Sequence, residues 1–366
     1  MKKKLSFFLS LFIALGLSVA LTGCNNKSGG AQVGIVLPTR EEPRWLQDEA
    51  KFRELIEATD YKVEFRFSDG SSAKEKQNVD ELVGLGIKVL IICPQKAEEA
   101  AASVAAAKDK GVKVISYDRL ILGSDAIDYY VTFDSVAVGK AQGQYLIDNA
   151  SGTNNPLYLY AGGDDDNNAF LFFEGAWSVL QPKIADGTFV IKNSKEAAAL
   201  RDKQLTTDEN RDELEKIIKE ITTGWDFNKA KSLAESDMLK ASAEDKKEVF
   251  VLAPNDGTAR AIADVFAVNA NGYVITGQDA EKESVQYVID GKQSMTVFKD
   301  TRVLASDVMD MAVAIIEGKT VNAPASYNNG VKDVPSKQTA VVAVDKNNVK
   351  KELIDTGYYK ESDFAW

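Results

Sequence analysis

VKVISYDR (112–119) is an apolar run of strand character that ends abruptly in Asp118 and Arg119, two charged residues placed where a buried strand should surface. The Ala- and Lys-rich stretch before it, 97–111, has helical composition and stops at Gly111, so the order is helix, glycine, strand, acid. That order returns in the second half. Residues 259–271 read as a helix, Gly272 breaks it, and YVITGQD (273–279) runs into Asp279. Two strands ending in polar residues in matched settings point to two halves facing a shared space.

Outward from 112–119, short apolar runs alternate with amphipathic stretches. Strands are expected at VGIVLP (33–38), KVEFRF (62–67) and KVLIICP (88–94), with helices over 43–59, 71–85 and 97–110. Pro43 suits the first turn of its helix, and KVLIICP has the continuous apolarity of a strand buried on both faces. DYYVTFD (128–134) and a helix over 135–149 follow, and SGTNNP (151–156) is a strong turn signal. A new alternation begins with LYLYAGG (157–163), a helix over 167–180, FVIK (189–192) and a long charged helical region over 207–240. EVFVLAP (248–254), a helix over 257–269, YVITGQD, a helix over 281–289, MTVFKD (295–300) and a helix over 302–317 complete the second set. Beyond a Pro- and Asn-rich stretch, TAVVAV (339–344) reads as a last strand, with a short helix after Asn347. Strands and helices alternating at this spacing predict an α/β protein of two doubly wound parallel-sheet lobes.

The first residues lie outside that pattern. Lys2–Lys4 form a positive segment, 5–21 is apolar, and Leu21-Thr22-Gly23-Cys24 places small residues before a cysteine. The tetrapeptide resembles the lipobox of bacterial lipoproteins, which implies a signal peptide over 1–23, lipid on Cys24 and a flexible tether over 24–31. The mature chain then keeps one cysteine, Cys93, which is expected to be a small buried hydrophobe. Formal charge is −11, and near −14 once the three leader lysines are discounted. Such an acidic surface argues against nucleic acid and against electrostatic docking on anionic lipid, leaving the anchor as the only membrane attachment. The chain contains no histidine, so the commonest general base, the usual metal ligand and a Ser-His-Asp triad are all missing.

In open α/β sheets ligands bind beyond the carboxyl ends of the strands. Those ends carry 39–44, Asp118-Arg119, 164–168, Asn255-Asp256, Gln278-Asp279 and Lys299-Asp300, with Trp45 beside Arg44. The chain holds no GxGxxG or Walker A sequence, and Gly162-Gly163 is followed by three aspartates that would repel phosphate. DDDNN (164–168) lacks the spacing of a calcium loop and reads as a turn with a helix cap, so no metal or cofactor is expected. A neutral polyhydroxyl ligand fits the set: each hydroxyl both donates and accepts, suiting acids and amides on one side and cations on the other. Aromatic planes suit the apolar ring faces. Acids interleaved with Arg, Lys and Asn are expected to stay ionised and to accept hydrogen bonds rather than move protons. Asp118 and Arg119 fit either a ligand clamp or a mutual salt bridge.

These residues carry a resemblance. Arg44-Trp45 with Asp48, ISYDRL (115–120), YVTFD (130–134), GGDDDNNA (162–169), APNDG (253–257), GQDA (277–280), TVFKDTR (296–302) and NNGVKDVPS (328–336) resemble the sugar-binding proteins that serve ABC importers, the xylose-binding and multiple-monosaccharide-binding branch above all. The resemblance implies the type I periplasmic-binding-protein fold: lobes of 32–133 plus about 298–328 and 134–297 plus about 329–366, joined by a three-stranded hinge. It implies a monomer that is no enzyme, uses no cofactor, closes on one monosaccharide (xylose, glucose, galactose or arabinose class) and delivers it to a permease. A chemoreceptor partner or a carboxylate-based sugar-modifying enzyme of the same fold is the alternative. By the same resemblance Arg44, Asp118, Arg119, Asp166, Asn168, Asn255, Asp279 and Lys299 hydrogen-bond the sugar, Trp45 lines the pocket, and Trp225 in GWDFNKA is the aromatic of the far lobe. The stretch 195–223 is longer than in the xylose-binding pattern, and Gln47 stands where that pattern has lysine.

Overall fold

The computed structural model describes residues 31–366. The expected signal peptide, the lipidation site Cys24 and tether residues 24–30 lie outside the described residues. Among the described residues, no helix is long and apolar enough to cross a membrane.

The first lobe alternates β1 (Val33–Leu37), α1 (Pro43–Glu57), β2 (Val63–Phe67), α2 (Ser72–Gly84), β3 (Val89–Ile92), α3 (Ala100–Asp109), β4 (Lys113–Tyr117) and β5 (Tyr129–Phe133). The second runs α4 (Ser135–Asn149), β6 (Asn155–Leu159), α5 (Asn167–Ala185), β7 (Phe189–Ile191), α6 (Lys195–Ala199), α7 (Arg211–Ile221), α8 (Phe227–Lys240), β8 (Val249–Leu252), α9 (Asp256–Asn269), β9 (Tyr273–Ile275), α10 (Lys282–Asp290) and β10 (Met295–Phe298). The chain then returns through α11 (Thr301–Ile316), β11 (Ala325–Asn328) and β12 (Asp333–Thr339) before β13 (Val342–Asp345).

One sheet has the order β11-β12-β5-β4-β3-β1-β2; the other has β7-β6-β8-β9, and a bridge from Gln278 to Val297 extends it to the β10-β13 pair. The β1–β5 and β6–β9 pairings are parallel. Strand residues alternate between faces. Ile35, Ile91 and Ile115 therefore meet Phe52 of α1 and Leu304 and Val308 of α11, while Val36, Leu90 and Val114 meet Val79 of α2 and Val104 of α3. The chain passes between sheets at Asp134, at Lys299-Asp300 and at residues 340–341, which gives the three expected crossings.

Three details differ from the sequence reading. The charged region 207–240 is two helices, α7 and α8, separated by Thr222–Asp226. The Pro- and Asn-rich stretch holds two strands, and β12 pairs with β5, so the first sheet keeps the chain through Thr339 rather than releasing it near 328. TAVVAV is accordingly not one strand: Thr339 ends β12 and Val342 opens β13. Its uniform apolarity hides the crossing, because both ends are strand and only the sheet changes.

Close helix packing supports the site from behind. Gly139 and Gly143 of α4 face Phe172, Gly175 and Ala176 of α5, and a Cβ on Gly175 would overlap the Val136 carbonyl. Gly175→Ala is expected to push the two helices apart and cost about 1–3 kcal/mol of stability, read from urea unfolding of the ligand-free protein.

A buried acid in the first lobe sets a pH dependence. Glu75 of α2 is fully buried, and its carboxylate accepts the Gln95 N–H at 2.6 Å. Burial outweighs that bond and pushes the carboxyl from 4.5 up to about 7. Between those values the native state holds a proton that the unfolded chain has released, so stability falls as pH rises from about 4.5 to about 7. Glu75→Gln is expected to flatten this fall, by up to about 3 kcal/mol, in unfolding curves recorded at pH 5 and pH 8.

Candidate functional site

All ten residues expected to face the ligand line one cavity of about 300 Å³ between the lobes: Arg44, Trp45, Asp118, Arg119, Asp166, Asn168, Trp225, Asn255, Asp279 and Lys299. Glu42, Phe172 and Gln278 complete the lining. Glu42 and Gln278 lie within the strand-end stretches 39–44 and Gln278-Asp279. Phe172 lies one helical turn beyond Asn168 on α5, and that i, i+4 spacing was the available signal. The apolar run FLFFEGAW around it reads as core and hides it.

The first lobe contributes from two strand ends. Pro43 opens α1, and the helix then places Arg44, Trp45 and Asp48 on one buried face. Asp48, fully buried, takes the Arg44 guanidinium in a two-point pair at 2.5 and 3.1 Å and accepts the Tyr117 hydroxyl. Thus oriented, Arg44 reaches Asp118 at 3.0 Å and, across the cleft, Asp279 at 3.5 Å. Asp118 follows β4 in a left-handed conformation, φ 61°. Its carbonyl accepts from Tyr130, Thr132 and Asn168 at 2.7, 3.0 and 2.9 Å, which holds a backbone that a non-glycine residue otherwise avoids.

The second lobe supplies the facing wall. Asp166 caps α5 through the Asn168 N–H, which joins the expected helix-cap role to a place in the cavity. Asn255 caps α9, with its side-chain oxygen taken by Thr258 (2.6 Å from the hydroxyl), so its amide N–H₂ is the group left for a ligand. Asp279 stands at φ 102° and meets Lys299 at 2.7 Å. Trp225, also left-handed at φ 63°, lies on Gly162 and Gly163, where a Cβ on Gly162 would overlap the indole. Its ring meets Phe172 edge-on at 6.3 Å. The long stretch before Trp225 does not decide its position. Thr222 bridges to Ala161, Thr222 Oγ1 donates to the Gly162 carbonyl at 2.5 Å, and Thr223 bonds Ala161 twice at 2.8 Å.

Asp118 and Arg119 do not pair with each other. Asp118 holds Arg44, and Arg119 reaches across to Asp166 at 2.9 Å. Both guanidiniums also sit 5.1 Å from the Trp45 ring. The mutual salt bridge is thus excluded in favour of two pairings, one of which spans the lobes. The expectation that every acid stays readily ionised needs correction. Desolvation opposes ionisation of Asp118, but Arg44, Lys299 and Arg119 hold its carboxyl below the usual range. For Asp166 and Glu42 burial wins over Arg119, and both carboxyls are raised. Gln47, the departure from the xylose-binding pattern, is not in the cavity lining. Its amide instead bonds the hydroxyls of Tyr359 at 3.0 Å and Tyr358 at 3.3 Å, at the rim between α1 and the C-terminal segment. Among the described residues no group of three or more acids and cysteines is arranged to hold a metal ion.

Comparison with known proteins gives a consistent picture. A family model described as periplasmic binding protein domain matches residues 33–320. The multiple sugar-binding periplasmic protein SbpA of Azospirillum brasilense is 35% identical over 96% of this chain and 97% of its own length. The D-xylose-binding periplasmic protein of Escherichia coli is 30% identical, over 97% and 98%. Among solved structures, a carbohydrate transporter solute-binding protein from Chloroflexus aurantiacus in complex with D-glucose is 62% identical, with a TM-score of 0.89 over 92% of this chain and 98% of that one. An ABC transporter solute-binding protein from Clostridium phytofermentans with bound β-D-glucose is 32% identical, with a TM-score of 0.80 over 91% and 99%.

Proposed function

The chain belongs to the periplasmic binding protein family, and from that membership we propose that it is an extracytoplasmic lipoprotein that captures one aldose between its lobes and hands it to an ABC importer. The observation that carries the reading is the convergence of ten donors, acceptors and aromatics from both lobes on one small cavity. The cavity is small and lined almost wholly by polar and aromatic side chains, which suits one monosaccharide rather than a longer or apolar ligand. Ring hydroxyls pair with Asp118, Asp279, Asn255 and the three cations, while Trp45 and Trp225 cover apolar C–H faces. The names of the relatives and the glucose in the similar structures favour the xylose and glucose class.

The mechanism follows from where the contacts sit. One lobe holds the sugar in an open form, and contacts from the other favour closure, a population shift driven by differential affinity. The Arg44–Asp279 and Arg119–Asp166 pairs join the lobes in the closed state. The closed form presents the loaded protein to the permease, and lipid on Cys24 keeps it at the membrane surface. The relatives are solute-binding proteins rather than enzymes, and Asp118, held ionised by three cations, is a poor proton donor.

Titration calorimetry against a panel of aldopentoses and aldohexoses tests the proposal. Saturable binding of at least one, with the sugar recovered unaltered after long incubation, is the expected result. No heat from any of them at millimolar concentration would overturn it.

A further inference from the structure

We propose that Glu42 is a specificity-determining residue of this cavity, a charge filter at its mouth that rejects anionic sugars and favours a hydroxyl or ammonium. The inference rests on the sugar-binding reading above and deepens it. Four carboxylates line the cavity (Glu42, Asp118, Asp166 and Asp279) against three cations, Arg44, Arg119 and Lys299. The cations are already committed. Arg44 is shared among Asp48, Asp118 and Asp279, Lys299 is on Asp279, and Arg119 is on Asp166 at 2.9 Å. Among the described residues, the only cation paired with Glu42 is Arg119, reached on its far side at 3.6 Å, and the Trp45 indole is its other polar neighbour. Carboxylates therefore outnumber cations at the cavity, and Glu42 has the longest of these pairings.

Its position makes the surplus consequential. The Glu42 side chain is 23% exposed whereas that of Arg119 is 6%, and Glu42 also lines the outer cleft together with Trp225 and Asn255. A solute passes it on entry and sits near it when bound. Glu42 lines the same small cavity as Arg44, Asp118, Asp279 and Lys299, so a bound sugar lies close to its carboxylate. One unit charge about 6 Å away, at an effective dielectric of about 20, is worth about a hundredfold in affinity.

Three probes that differ only at the exocyclic carbon test this: D-glucose, D-glucuronate and 6-amino-6-deoxy-D-glucose, titrated into the wild type and Glu42→Gln. In the wild type the amino sugar should bind at least as well as glucose and the uronate at least tenfold worse. In Glu42→Gln the uronate-to-glucose affinity ratio should rise tenfold or more and the amino-to-glucose ratio should fall. Ratios that stay within twofold of wild type would overturn the filter while leaving sugar binding intact. Should Glu42→Gln fail to fold, the wild-type ranking decides, since equal binding of uronate and glucose is incompatible with a surplus acid. A wild type that binds none of the aldose panel would instead overturn the sugar-binding reading, and this inference with it.

Discussion

Asp279→Ala is expected to weaken binding of the preferred monosaccharide by about a hundredfold or more and to erase the ligand-induced change in tryptophan fluorescence. The carboxylate is 5% exposed and 2.7 Å from Lys299, itself 5% exposed, so its loss leaves a buried ammonium without its counter-charge. Breaking a buried pair in this way costs about 3–5 kcal/mol, and each 1.4 kcal/mol is about tenfold in affinity wherever the penalty falls on the closed state. The backbone adds to the effect, because φ 102° at this position is tolerated better by Asp or Asn than by Ala. Asp279→Asn separates the two causes by keeping the shape and removing the charge. Binding of Asp279→Ala within tenfold of wild type, measured by calorimetry, would refute the placement of Asp279 at the ligand.

Arg44→Met should have the largest effect on stability. This one guanidinium serves Asp48, Asp118 and Asp279, all 5% exposed or less. Its removal strands the fully buried Asp48, whose carboxyl burial already raises despite Arg44. A loss of about 3–5 kcal/mol is expected, visible as a lower denaturant midpoint without ligand, together with loss of sugar binding. Arg44→Lys should rescue little of either, since a point charge cannot reproduce the fork that holds Asp48 at two points and Asp118 at a third. An unchanged midpoint in Arg44→Met would show that the pairing is not what holds this corner together.

The sequence made the architecture legible because parallel strands buried on both faces read as continuous apolar runs, and because glycines and charged residues punctuate them. VKVISYDR marks β4 and the candidate site together, since the residue that leaves the buried strand is also one that lines the cavity. Four things stayed hidden, for physical reasons. The break at Thr222–Asp226 is made by bonds to Ala161 and Gly162, long-range partners that no local pattern announces. The pairing of β12 with β5 depends on a crossing inside a uniformly apolar segment. Phe172 looks like core, and it is: one edge packs against Trp225 while another lines the cavity. The partners of Asp118 and Arg119 were likewise beyond sequence, because adjacency along the chain suggests a pair that the left-handed turn at Asp118 directs apart.

The closed cleft has a kinetic corollary. Arg44, Asp118, Arg119, Asp166, Asn168 and Lys299 are each 5% exposed or less, so a solute enclosed among them has little access to water except past Glu42 and Trp225 while the lobes stay shut. Its escape then cannot outpace the frequency with which the lobes part. Residence time is accordingly set at the Arg44–Asp279 and Arg119–Asp166 contacts as much as by the sugar's own hydrogen bonds. Substitutions that loosen those contacts should hasten departure even for sugars they never touch, and a membrane partner that pries the lobes apart would control delivery without competing for the sugar.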